Sequence, residues 1–227
     1  MSRLKPVVAL DIDGVLRIHD GFRVDGAFSR EITFHKDDYP DLFHGAPLFV
    51  DGVITDEDWF SGVGAAWVRD IIDRGIEVVL ATTWQHWANT YFGDILGLPE
   101  LPVAVTDPGR EAWFHCSPSW KSHQLSRQFN GRPLMWVDDN PWDRRGEDLH
   151  ELRLPRDRAL THFQHTNWFT GIRAEDVAEM DAWLALASTE VGHNELRARR
   201  RRKLANEAAA ERRRQRDFDA RMERARK

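Results

Sequence analysis

The 227-residue chain holds a single cysteine, Cys116. One thiol excludes an internal disulfide framework and a cysteine-built zinc site, and it points to a reducing, cytoplasmic setting. Long apolar runs are also missing. Mean hydropathy is −0.57, and no stretch approaches the roughly 18 apolar residues that a membrane span needs. Met1 to Lys5 lead into a short apolar run interrupted by Asp11, which does not read as a secretory leader. The ten histidines include no His-Glu-x-x-His and no comparable pair at metal-ligand spacing. His86, His115, His123, His162 and His165 are therefore expected on the surface or in polar networks. There is no internal repeat, and no low-complexity linker before residue 195; after it there is no Gly or Pro.

What is present suits one α/β domain with an appendage. Hydrophobic residues make up 41% and charged residues 30%, a balance that excludes a wholly disordered or fibrous chain. The net charge of −5 hides two opposite regions. Residues 195–227 carry 14 Lys and Arg against 6 Asp and Glu, a balance of +8; the rest carries 18 against 31, a balance of −13. An acidic body suits carboxylates gathered around a cation, and a basic tail suits nucleic acid or an acidic partner.

Residues 6–12 and 76–82 are short apolar runs of the kind buried on both faces of a parallel sheet. Leu101–Val105, Leu134–Val137 and Glu151–Leu154 predict three further strands. Between them, 62–74, a segment carrying Trp84, Ala88, Tyr91, Phe92 and Ile95, 119–129 and 174–187 have helical spacing, with Gly75 and Gly97 as stops. Strands alternating with helices predict a three-layer, Rossmann-like parallel sheet. Residues 17–60 are irregular, with short strands expected at Phe22–Val24 and Glu31–Phe34.

Ligands of such sheets bind off the carboxyl ends of the strands. The first apolar run ends in Asp11-Ile12-Asp13-Gly14-Val15-Leu16, the second in Thr82-Thr83-Trp84, the fourth in Asp138-Asp139-Asn140-Pro141-Trp142-Asp143. Carboxylates at i and i+2 of an extended chain converge, and like charges so close require a cation or a proton. A second acidic pair would complete an oxygen-rich site for magnesium. Thr82 and Thr83 stand where a phosphate could meet hydroxyl and backbone N–H donors at a helix start. Lys121 opens a short helix and is the only lysine between Lys36 and Lys203.

In this order, Asp-x-Asp-Gly-Val-Leu, a strand ending in Thr, a Lys, and Asp-Asp after a strand resemble the haloacid dehalogenase superfamily of phosphohydrolases, over residues 6 to about 143. The resemblance implies Asp11 as nucleophile forming an aspartyl-phosphate. It implies Asp13 as the acid that protonates the leaving oxygen and later activates water. Thr82, or its neighbour Thr83, would bind the phosphoryl group, with Lys121 stabilising it; Arg110 or Arg127 are the alternatives to that lysine. Asp138 and Asp139 would hold Mg2+ together with Asp11 and the backbone carbonyl of Asp13, and Asp143 also matches a spacing seen in the superfamily. The second Asp of the first motif favours phosphatase or phosphotransferase chemistry over dehalogenation.

The interval 17–60 would then be a small cap or flap in a domain spanning 1–194. A small flap leaves an open site, in which Arg17, His19, Arg23 and Lys36 could meet a substrate. Among the ten tryptophans, Trp136 is expected in the core, Trp84 and Trp142 along a pocket. Residues 195–227 read as one polar helix whose Arg199, Arg200, Arg201, Arg202 and Lys203 could contact nucleic acid. The expected function is Mg2+-dependent hydrolysis of a phosphate monoester, a nucleotide or a polynucleotide phosphate end being favoured. The competing class is a nucleic-acid-binding or adaptor protein on a degenerate fold of the same kind.

Overall fold

The computed structural model describes residues 5–19, 21, 24–39, 49–106, 120–139 and 145–225. Arg23, Arg110, His115, Cys116, Trp142 and Asp143 lie outside them.

Four runs of apolar or mixed sequence form a parallel sheet: β1 (Val7–Leu10), β5 (Glu77–Leu80), β6 (Leu134–Asp138) and β7 (Thr161–His165), in the order β5-β1-β6-β7. Leu80 makes an isolated parallel bridge to Val103. Counted with that bridge, the chain-order sequence is 3-2-1-4-5, that of a doubly wound sheet. Successive side chains of a strand face opposite layers. Val8, Leu10, Val78, Leu80, Met135 and Val137 enter one core, and Val7, Ala9, Val79, Leu134 and Trp136 enter the other. Helices cover both faces. On the first lie α1 (Gly62–Asp73), α2 (Trp87–Leu96) and α5 (Ala174–Ala187); on the second lies α3 (Trp120–Gln128), with Leu149 of α4 (Arg145–Leu152). Ser61 caps α1, its Oγ accepting from Gly64 N–H at 2.9 Å while donating to the Ile172 carbonyl at 2.7 Å.

Residues 17–61 build a second, antiparallel sheet, β2-β4-β3, from β2 (Arg17–Ile18), β3 (Ala27–His35) and β4 (Val53–Ser61). Ile32, Phe34 and Phe60 pack it into the first core against Trp84 and Phe92. The flap is thus anchored to the domain by its own apolar face.

Several expectations need correction. Glu151–Leu154 is not a strand: α4 runs through Leu152, and the edge strand is β7, ten residues later. Leu101–Val105 contributes only the bridge at Val103. Phe22 and Arg23 lie outside the described residues and Val24 is in a bend, whereas Glu31–Phe34 lies within the nine-residue β3. Trp84 belongs to the core at 1% exposure, packed by Phe34, Tyr39 and Phe92. The C-terminal helix α6 (Glu190–Ala225) begins before residue 195 and buries His193 and Leu196. Within its basic run, Arg199 and Arg202 pair with Glu195 at 2.8 and 3.1 Å, and the side chain of Lys203 is exposed. No helix among the described residues is long and apolar enough to cross a membrane.

Candidate active site

The alternation that fills the two cores also aims the carboxylates. Asp11 continues the Val7–Ala9 series and Asp138 the Leu134–Trp136 series, and both series face the α3 layer. Leu10 pairs with Val137, and Asp11 N–H donates to the Val137 carbonyl at 3.0 Å, so the two acids emerge side by side. The first turn of α3 brings Lys121 between them. Its Nζ donates to Asp11 Oδ2 at 2.5 Å and to Asp138 Oδ2 at 2.9 Å, and all three side chains are buried.

Asp139 completes the group. Oxygen atoms of Asp11, Asp138 and Asp139 lie within 4.8 Å of one another, an arrangement able to hold a cation. Gly14 is what lets Asp139 come so close. At φ +68° it adopts the left-handed conformation, and a Cβ there would sit 2.3 Å from the Asp139 carboxyl. The Gly14 carbonyl is held by Thr166 Oγ1 at 2.8 Å, which ties the loop after β1 to the loop after β7.

Asp13 borders the same cleft but is held by different partners. Arg17 donates to its Oδ1 at 3.0 Å and the Trp84 indole N–H to its Oδ2 at 2.8 Å. Arg17 also donates to Asp58 of β4 at 2.8 Å, and its guanidinium lies over the rings of Phe34 and Trp84. The flap therefore fixes the second acid of the Asp-x-Asp pair. Removing the guanidinium as Arg17→Met leaves two carboxylates facing each other in a mostly buried place. A loss of about 3 kcal/mol is expected in urea denaturation, and the double variant Arg17→Met/Asp58→Asn should recover much of it. An unchanged midpoint in the single variant would show that Arg17 supports nothing there.

These groups line one cleft of about 340 Å³, whose walls include Asp11, Asp13, Gly14, Arg17, His19, Tyr39, Asp58, Thr83, Lys121, Asp139 and Trp168. Of the two threonines, Thr83 borders the cleft. Thr82 is fully buried, and its Oγ1 accepts from Trp84 N–H at 3.3 Å. Neither stands at a helix start, because α2 begins only at Trp87. Arg127 and Lys36 are not among the lining residues, and neither is any residue of the 199–203 basic run. Asp58 and Trp168 were not foreseen from the sequence: each is far in the chain from the acidic motifs, and only the hairpin and the turn after β7 carry them in.

Among the described residues, acidic groups outnumber basic ones in and beneath the cleft. Asp11, Asp13, Asp58, Asp138 and Asp139 gather around Lys121 and Arg17. Burial pushes Asp11 up to about 7, opposed by Lys121 and reinforced by Asp138. Burial also pushes Asp139 up to about 8, with Asp11 and Asp138 adding to the effect. Burial raises Asp58 as well, against the pull of Arg17. Hard oxygen donors set this close, with Gly14 letting Asp139 approach, fit a divalent cation. Compared with protein-family models, with curated proteins and with solved structures, the chain matches none of them.

Proposed function

We propose that the chain is a Mg2+-dependent phosphohydrolase of the haloacid dehalogenase kind, cleaving a phosphate monoester through an aspartyl-phosphate on Asp11. The observation that carries the reading is the meeting of Asp11, Asp138, Asp139 and Lys121 at the carboxyl rim of adjacent parallel strands. Packing does not require this arrangement, since buried like charges are costly, whereas phosphoryl transfer through an aspartyl-phosphate would use each part of it.

In this reading a carboxylate oxygen of Asp11 attacks phosphorus in line. The Asp11 O–P bond forms as the bond from phosphorus to the leaving oxygen breaks, and Asp13 supplies the proton that oxygen needs. Water then attacks the phosphoryl group, Asp13 takes its proton, and Asp11 departs as carboxylate. Lys121 and Thr83 are the groups suited to the phosphoryl oxygens. Arg17 and Trp84 hold the Asp13 carboxyl in position throughout. Mg2+, held by Asp11, Asp138, Asp139 and the Asp13 carbonyl, would neutralise the anionic ester and the charge that develops in the transition state.

The small flap and the basic tail favour a nucleotide or a polynucleotide phosphate end as substrate. A panel of phosphate monoesters incubated with the full-length protein should release inorganic phosphate with Mg2+ present and none after exhaustive chelation. Release that persists undiminished in chelator, or no release from any member with Mg2+, would rule the proposal out.

A further inference from the structure

Among the described residues, large aromatic side chains are mostly buried or half-buried. Trp168 and Phe169 are 45% and 54% exposed, on the turn that follows β7. The His19 ring lies against both, with centroids 6.2 Å from Trp168 and 5.8 Å from Phe169. Exposing two such rings side by side forgoes burial that aromatic residues normally gain.

The turn is nonetheless firmly held. His19 N–H donates to the Trp168 carbonyl at 3.1 Å, Phe169 N–H to Asn167 Oδ1 at 2.9 Å, and Ile172 N–H to the Val15 carbonyl at 3.0 Å. Thr166, two residues before Trp168, is the side chain that grips Gly14. The rings are thus fixed to the same loop that carries Asp11 and Asp13. Trp168 and His19 line the cleft that has Asp11 and Lys121 on its floor; the floor residues are 6% and 2% exposed, whereas Trp168 is at the mouth. In the proposed reaction, an ester whose phosphoryl group met Asp11 would extend toward the mouth of the cleft, where Trp168 and His19 stand.

We propose that the His19–Trp168–Phe169 surface is a stacking platform for a flat aromatic ring on the leaving group, the ring being a nucleobase joined to the esterified sugar. This rests on the phosphohydrolase reading for the orientation of the ester. Stacking is tolerant of which base is present, because every base offers a π-face. The platform therefore selects for a ring and not for one base.

Adenosine 5′-monophosphate and ribose 5-phosphate share the same esterified oxygen and differ only in the base. Their affinities are compared by calorimetry in full-length protein with Mg2+, using Asp11→Asn to prevent turnover, alone and combined with Trp168→Ala or Trp168→Phe. The nucleotide should bind about tenfold or more tighter than the sugar phosphate. Trp168→Ala should shrink that ratio to about threefold or less, and Trp168→Phe should keep most of it. Equal affinities, a ratio untouched by Trp168→Ala, or no binding of either compound would overturn the platform. Phosphate release from the two compounds by the wild type is measured beside it. A Trp168-dependent preference with no release from either compound would leave the platform standing and remove the hydrolase reading.

Discussion

Asp11→Asn should lower kcat by a factor on the order of 10⁴ or more, in line with removal of a nucleophile elsewhere, while the protein keeps its fold. An amide oxygen is a poor nucleophile, and the neighbouring carboxylates among the described residues have other roles: Asp138 is fully buried on Lys121, Asp13 is held by Arg17 and Trp84, and Asp139 would be a ligand of the cation. The fold should survive because burial already drives Asp11 toward its neutral form, to about 7. An amide has the shape of that neutral acid without its ionisation, and Lys121 retains Asp138. In chelator at pH 8 the variant should melt no lower than the wild type. Steady-state phosphate release and a circular-dichroism melt test both halves. Turnover within tenfold of wild type in a folded variant would end the nucleophile assignment.

Magnesium should raise the melting temperature by an amount that grows with pH. Asp11 and Asp139 titrate in the folded chain at about 7 and 8, well above the ordinary carboxylate value of 3.8. The folded state therefore binds these protons more tightly than the unfolded state. The stability they confer is complete below about pH 4 and is lost as pH rises through 7 and 8. A tenfold change in proton affinity is worth about 1.4 kcal/mol, and about 1 kcal/mol moves the melting temperature of a chain this size by roughly 2–4 °C. A divalent cation bound by these carboxylates would replace the missing protons.

The Mg2+-induced rise should be near zero at pH 5 and about 5 °C or more at pH 8. His150, which burial and the charge of Arg200 hold down to about 4, works in the opposite direction. It loses stability as pH falls from 6.5 toward 4, but equally with and without metal, so comparing Mg2+ with chelator at each pH removes it. Asp139→Asn should flatten the pH trend and reduce the rise. The same increment at pH 5 and pH 8 would mean that the cation is not discharging these carboxylates.

Much of this site was legible because apolar runs buried on both faces leave little doubt about strands, and a carboxylate directly after such a run has no packing role. That logic found β1, β5 and β6, and with them Asp11, Asp138 and Asp139. It failed where the pattern was weak. Glu151-Leu-Arg-Leu alternates like a strand, yet its Arg153 is buried because the guanidinium donates to the Phe129 and Arg132 carbonyls beyond the end of α4. The true edge strand, Thr161–His165, has one neighbour and a polar sequence, and so lacks an apolar signature. The second strand of the hairpin, β4, had no apolar signature for a related reason. Asp56-Glu57-Asp58 looks like solvated loop, although pairing with β3 turns Asp58 inward to Arg17. Trp168 could not be assigned to the cleft from sequence, because its place depends on hydrogen bonds across about 150 residues of chain, such as Thr166 to Gly14.

Because Asp11 and Asp138 point into the same layer only through the parity of their strands, their separation from the core residues before them is as consequential as their chemistry. Deleting one residue from 7–10 or from 134–137 would swing the acid that follows to the opposite side of the sheet, away from Lys121. Substitutions along these two segments can be absorbed by repacking, whereas a change of length cannot: the spacing itself is under constraint, as a codon is by its frame.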